Sequence, residues 1–340
     1  MLWLTWRQFR AQGIVAGAAL AVLAITLAVT GPHLAGLYSS SGLSDCTSGC
    51  NALASSFINQ VKGSGTELIF YGGIFLLYLA PALAGIFWGA PLLTREIESG
   101  TFRLAWNQSV TRARWIAVKL GLVGLAAMIM AGLLSLMINW WASPLYQAAR
   151  QSGSNALGIN RLAPPLFGAT GIVPIGYAAF AFALGVMAGV LIRRLLPAMA
   201  VTLVVFAAAQ FLMPAFVRPA LLSPATSIQA LGTVNFYGTG DYDNGILLLQ
   251  VGSVSGHAGD WILSSHPVGA AGQRITRAPA ACMSADTDFM QCLASNGVRM
   301  AISYQPASRY WELQWLETGI FLMLAGGLGG LCYWRVCRLA

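Results

Sequence analysis

Asp241, Asp243, His257, Asp260 and His266 are the residues of this 340-residue chain whose types could assemble a general acid–base pair or hold a metal ion. Carboxylates and imidazoles do such chemistry when a fold brings them within hydrogen-bond reach. Here their spacing follows no helical or strand repeat, and glycines stand among them, as in turns. His257 and His266 also lack ligand spacing with Cys46, Cys50, Cys282 and Cys292. The two lysines stand in Gln60-Val61-Lys62-Gly63 and Ala117-Val118-Lys119-Leu120, so neither belongs to a G-x-x-x-x-G-K-S/T phosphate loop. Neither a catalytic residue nor a metal site is expected, and no nucleotide or other cofactor is expected to be held in this way.

The elements that would have to position any site are membrane helices. Six stretches, 11–44, 68–94, 120–149, 162–192, 195–217 and 318–334, carry no Asp, Glu, Lys or Arg. Each contains an apolar core near the roughly 20 residues a helix needs to cross about 30 Å of hydrocarbon. With 57% hydrophobic and 9% charged residues, the chain is not an ordinary soluble globule. The expected fold is an all-α polytopic membrane protein with spans at 13–37, 68–93, 115–141, 167–192, 195–217 and 318–334. Residues 219–240, also uncharged, are interrupted by Pro219, Pro224, Asn235, Gly238 and Gly240 and read as extramembrane. Pro174, Pro197 and Pro214 are expected to kink spans four and five.

Basic residues orient the spans, because Lys and Arg near span ends stay cytoplasmic. With both termini inside the cell, that face holds Arg7, Arg10, Arg95, Arg103, Arg112, Arg114, Lys119, Arg193, Arg194, Arg335 and Arg338 against Glu96 and Glu98, net +9. The opposite face is net −1, so the +8 of the whole chain is a topology signal and not a nucleic-acid patch. The chain is accordingly placed in the plasma membrane. Residues 1–12, in which Leu2, Trp3, Leu4, Trp6 and Phe9 alternate with polar residues, suit either a short interfacial helix or the first turns of the first span. The interfacial helix is the expectation carried forward, in preference to a cleaved signal peptide.

Residues 218–316 form the largest extramembrane segment, expected as a small extracellular α+β domain between helices five and six, with 317–340 as the last span and tail. Residues 261–268 and 299–304 alternate as strands, and a helix opening near Ser284, Asp286 and Asp288 would close at Asn296-Gly297. Disulfides Cys46–Cys50 and Cys282–Cys292 are expected on this oxidising side, although four cysteines allow three pairings. Tyr310, Trp311 and Trp315 make an aromatic approach to the last span.

Residues 93–120, between spans two and three, carry the functional signal. Glu96 and Glu98 precede a turn at Gly100; Thr101 can cap a new short helix whose apolar face is Phe102, Leu104, Ala105 and Trp106; Arg112, Arg114 and Lys119 follow. In this order the segment resembles the permease subunits of the ATP-binding-cassette type-2 exporter family, in which span two ends in an acidic stretch and Gly-Thr before an amphipathic coupling helix and a basic return. The six-span layout extends the resemblance over most of the chain. It departs in the loop before span six, which is larger than the family's short re-entrant hairpin. The resemblance implies a separate ATPase subunit that binds ATP and magnesium, a second permease chain, identical or not, and a coupling helix near 101–110. It also implies an ATPase-coupling role for Glu96, Glu98, Gly100, Thr101, Phe102, Arg103, Leu104, Trp106 and Asn107.

The spans contain no ionisable residue at mid-depth, which removes the usual machinery of proton- or sodium-coupled transport. A path lined by Phe70, Phe75, Phe87, Trp88, Met128, Met130 and Met137 would suit a hydrophobic or amphipathic cargo, because aromatic and thioether surfaces repack around varied shapes. Gly85 and Gly89, Gly185 and Gly189, and Gly326 and Gly330 offer close-packing faces, within the chain or between two chains. The expected function is export of such a compound or a peptide. The alternative is a receptor whose extracellular domain binds a peptide or lipid-linked ligand and signals through an ATPase partner.

Overall fold

The computed structural model of the chain describes residues 2–47, 49–98, 111–151, 160–239, 249–254, 259–282 and 289–338. Among them, six helices are long and apolar enough to cross a bilayer: Phe9–Ser40, Thr66–Glu96, Ala113–Trp141, Val173–Ile192, Leu195–Leu221 and Ala307–Arg338. Each coincides with an uncharged run. The expected interfacial helix does not form a separate element, because Leu2–Ser40 is one unbroken helix. No proline falls between Trp6 and Gly13, and a helical glycine costs only about 1 kcal/mol against alanine, too little to stop it.

The fourth span is the hub. Its apolar window is 72% buried, against 6% for the first span, and it packs against spans two, three, five and six. Its sequence explains this position: Gly176, Ala178, Ala179, Ala181, Ala183, Gly185, Ala188 and Gly189 leave little side chain on any face, so neighbours approach from all sides. Span two meets it through Gly85 and Gly89, which lie in a π-helical stretch, Ala84–Gly89. A β-carbon built on Gly85 would fall 2.6 Å from the Ala181 carbonyl oxygen. Two of the three glycine pairs therefore interlock with each other inside one chain, while Gly326 and Gly330 have open space around them.

The prolines act differently from the expected kinks. Pro174 and Pro197 stand in the first turns of spans four and five, where no intrahelical donor is required. Pro214 does fall at an irregularity, the π-helical stretch Met213–Val217. Pro91 in span two cannot donate to the Phe87 carbonyl four residues back, and Gln12 Nε2 of span one donates to that oxygen at 3.1 Å instead.

Two amphipathic helices outside the six expected spans, Asn51–Gly63 and Ser143–Gln151, close one end of the bundle. Phe57, Val61, Leu145 and Tyr146 pack there with Leu34 and Trp141. The α+β lobe stands at the same end, with strands β1 (Ala225–Ala230), β2 (Val234–Thr239), β3 (Leu249–Val254), β4 (Trp261–Val268) and β5 (Arg299–Gln305). β4 and β5 are the strands expected from alternation. β5 is central and antiparallel to both β1 and β4, and β2 pairs with β3 in a separate hairpin. The buried side chains Met300 and Ile302 of β5 pack on Leu231, Cys282 and Leu293. The helix Phe289–Ser295 ends before Gly297, whose φ of 73° suits a residue without a β-carbon. Cys46 is bonded to Cys50 and Cys282 to Cys292. After β5 one helix, Tyr310–Arg338, carries the aromatic approach straight into the last span.

Candidate functional site

The centre of the expected elbow, residues 99–110 with Gly100, Thr101, Phe102, Arg103, Leu104, Trp106 and Asn107, lies outside the described residues. Its two flanks are described, and both are anchored. Before it, Glu96 accepts a hydrogen bond and ion pair from Lys119 Nζ of span three. Lys119 is 2% exposed, and its ammonium also sits 4.6 Å from the Trp115 ring centroid. Glu98 Oε1 accepts from the backbone N–H of Leu195 at 2.9 Å. That N–H opens span five, where unpaired donors and the helix dipole favour a carboxylate. The hairpin leading to it turns at Arg193, the one non-glycine residue with positive φ (56°) among the described residues. After the elbow, Thr111 caps span three, its hydroxyl accepting from Arg114 N at 3.4 Å. The last turns of span two are thus held to spans three and five by two acids two residues apart.

The seven residues of the expected path do not converge. Phe87, Trp88 and Met130 share one cavity of about 570 Å3 between span one and spans two and three. Phe70 is buried in the core beside Tyr146, and Met137 packs on the same cluster. Phe75 is exposed on the outer surface of span two, and Met128 is half-buried outside that cavity.

At the lobe end the structure assembles a cluster that sequence reasoning missed. Arg218, the first residue of the segment expected to be extramembrane, and Glu317, just before the uncharged run of the last span, are both fully buried. Arg218 Nε donates to Glu317 Oε2 at 2.7 Å and its Nη2 to Oε1 at 3.0 Å, a two-pronged pair. Tyr177 of span four donates to Glu317 Oε1 at 2.6 Å. The Arg218 guanidinium lies 4.3 Å from the Phe167 ring centroid and 5.9 Å from that of Trp261 in β4. One turn earlier, Gln314 Oε1 accepts from the N–H groups of Ile172 and Val173 at the start of span four, while its amide donates to Phe167 O. Tyr310, Leu313, Gln314, Glu317, Thr318 and Phe321 lie at helical spacing and all six are buried, but with three polar residues among them the stripe carries no apolar periodicity that the sequence could show. Nearby, burial pushes the Tyr146 hydroxyl well above its ordinary pKa, with Arg161 opposing the shift.

The residues first considered for acid–base chemistry do not assemble a site among the described residues. Asp241, Asp243 and His257, like Asp286 and Asp288, lie outside them. Asp260 accepts from Ala307 N through Oδ1 at 2.7 Å, and its carbonyl accepts from Asn160 Nδ2 at 2.6 Å, so it ties the lobe to the loop before span four. His266 stands in β4 opposite Ala301.

The sequence model of the family described as ABC-2 membrane transporter related matches residues 17–218. The match runs from the first span to Arg218 and stops before the lobe and the last span with Glu317. Neither the curated proteins nor the solved structures yield a match. Permeases of this kind are membrane transport components that work with an ATPase partner. With more than half of its length matched and six membrane-length helices, this multi-pass membrane protein belongs to the ABC-2 membrane transporter related family.

Proposed function

We propose that the chain is the permease subunit of an exporter that moves a hydrophobic or amphipathic compound or peptide with ATP hydrolysed, with magnesium, in a separate ATPase subunit. A second permease chain completes the pathway, and both termini lie on the cytoplasmic side of the plasma membrane. The observation that carries this reading is the pair of anchors at the elbow: Glu96 binds span three and Glu98 binds the start of span five. A push on residues 99–110 would therefore reach three spans directly. No ligand pocket for ATP is needed in this chain for such a mechanism, because the work arrives through the elbow.

The test is coupling. Glu98→Lys removes an exposed carboxylate from a helix N-terminus, a contact worth about 0.3–1 kcal/mol, and places a cation at the positive end of that helix. Gly100→Pro opposes the turn that the sequence leads one to expect at that position. Each variant, reconstituted with the ATPase in inside-out vesicles, is expected to lose ATP-driven accumulation of a fluorescent amphiphile by about tenfold or more while ATPase activity persists, each factor of ten corresponding to about 1.4 kcal/mol. Full transport by both variants would remove the elbow from the mechanism. Efflux in place of accumulation would reverse the direction.

A receptor reading draws on the lobe's attachment to the spans. Gln305 of β5 donates to Leu222 O at 2.6 Å, and Trp261 of β4 borders the buried Arg218. A ligand on the lobe could then act on spans five and six. Ligand-stimulated ATPase activity without accumulation in the same vesicles would favour it.

A further inference from the structure

We propose that the groove between span one and spans two and three is a binding site for one phospholipid with an acidic headgroup, taken from the leaflet at the elbow end. Span one is tethered at two points. Gln12 Nε2 reaches the Phe87 carbonyl near the elbow end, and Thr30 Oγ1 accepts from Trp141 Nε1 at 3.0 Å toward the lobe end. Between these tethers lies the cavity of about 570 Å3. It is lined from span one by a stripe that includes Val15, Ala19 and Leu23, and from the other spans by Leu76, Phe87 and Met130. Small residues on span one leave the space. Gln12 is the single polar side chain in the lining, and its amide is already engaged. An acyl chain lying in an apolar groove of this size gains the dispersion contacts that close packing supplies. Val15 is 69% exposed, so the cavity opens sideways toward the bilayer.

The dimensions select the occupant. From Ala11 to Leu23 the groove follows twelve helical steps, about 18 Å at 1.5 Å per residue. That is close to the depth of one leaflet's hydrocarbon, about half of 30 Å. An acyl chain of that leaflet fits its length. The polar end is also built: a second cavity of about 230 Å3 shares Gln12 and Trp88 with the first and is lined further by Arg95 and Glu96. The Glu96 charge is matched by Lys119. Arg7 and Arg10 lie in the turns of the same helix just before Gln12. The balance of charge at this end is positive, so an anionic headgroup is favoured over a zwitterionic one. Lipid in this groove would be held whether or not the chain transports a cargo.

The test uses the full-length chain in lipid nanodiscs containing phosphatidylglycerol with a photoreactive group at mid-acyl chain, or phosphatidylcholine carrying the same group. After illumination, labelled peptides are mapped by mass spectrometry. Labelling is expected to concentrate on span one near Val15–Leu23, on Leu76 and on Met130. It should exceed that of Val204 and Phe211, which are exposed on span five. Ala19→Trp, which fills the groove from an exposed position, should remove the groove label and leave the span-five label unchanged. Phosphatidylglycerol should outlabel phosphatidylcholine, and Arg95→Gln should weaken that preference by about fivefold, the factor for one basic residue near an anionic surface. Groove labelling no stronger than that of span five, or indifferent to Ala19→Trp, would mean only ordinary surrounding lipid and overturn the proposal. Equal labelling by the two lipids would overturn the acidic headgroup.

Discussion

Arg218→Ala is expected to destabilise the folded chain by about 3–5 kcal/mol, the cost of leaving one partner of a buried ion pair uncompensated. The variant strands the Glu317 carboxylate, which is fully buried and would retain only the Tyr177 hydroxyl as donor. Glu317→Ala should cost a similar amount, since it strands the guanidinium instead. Replacing both, as Arg218→Met with Glu317→Leu, is expected to recover the ion-pair part of the loss, because an apolar pair needs no desolvation, while the buried Tyr177 hydroxyl, left without its acceptor, keeps a cost of about 1–3 kcal/mol. Tyr177→Phe should lose less, about 1.5–3 kcal/mol for one hydrogen bond to a charged group. Tryptophan fluorescence of the purified chain during denaturation in mixed micelles reads all four. If Arg218→Ala matched the parent, the pair would not be holding span five to span six. The pair joins spans five and six at the lobe end, and Tyr177 adds span four, so any motion that parts spans five and six there must first break it.

The second large effect is expected at the crossing of spans two and four. Gly85→Ala would set a methyl 2.6 Å from the Ala181 carbonyl oxygen and 2.9 Å from its carbon, and Gly89→Ala would press on Phe182 O at 2.5 Å. The obstacle is backbone, which cannot swing aside as a side chain can, so the helices must separate. A loss of about 1–3 kcal/mol is expected for each, as for other overpacked sites, with larger losses for Val. Gly326→Ala is the control, because nothing lies within 4 Å of the added carbon. The same denaturation assay should find it neutral. Equal stability of Gly85→Ala and Gly326→Ala would mean that spans two and four do not cross this closely. The close crossing also matters for the elbow. Just beyond it, Thr94 packs by Gly189 and Glu98 reaches Leu195, so span two arrives at its charged end already aligned with spans four and five.

How much was legible differs from place to place, for physical reasons. The six spans could be read because crossing hydrocarbon excludes charge over about 20 residues, a constraint on composition alone. β4 and β5 could be read because a half-buried sheet imposes alternation. Both disulfides join cysteines four and ten residues apart, so local proximity favoured the pairing that the structure has. Asn51–Gly63 and Ser143–Gln151 are legible only weakly, because Ala54, Phe57, Ile58 and Val61 recur at helical spacing over too few turns to stand out beside the long uncharged runs.

The sequence by itself determined that this chain lives in a bilayer, where its six spans run and which acids end the second of them, since each of those follows from composition or local spacing. Tertiary structure alone decided that Arg218 and Glu317 meet. They are 99 residues apart, and a charge is readable as buried only once its partner and the walls around it are in place. It likewise decided that two of the glycine pairs interlock with each other and that the third faces open space, because a small residue records only that something can come close, not what does.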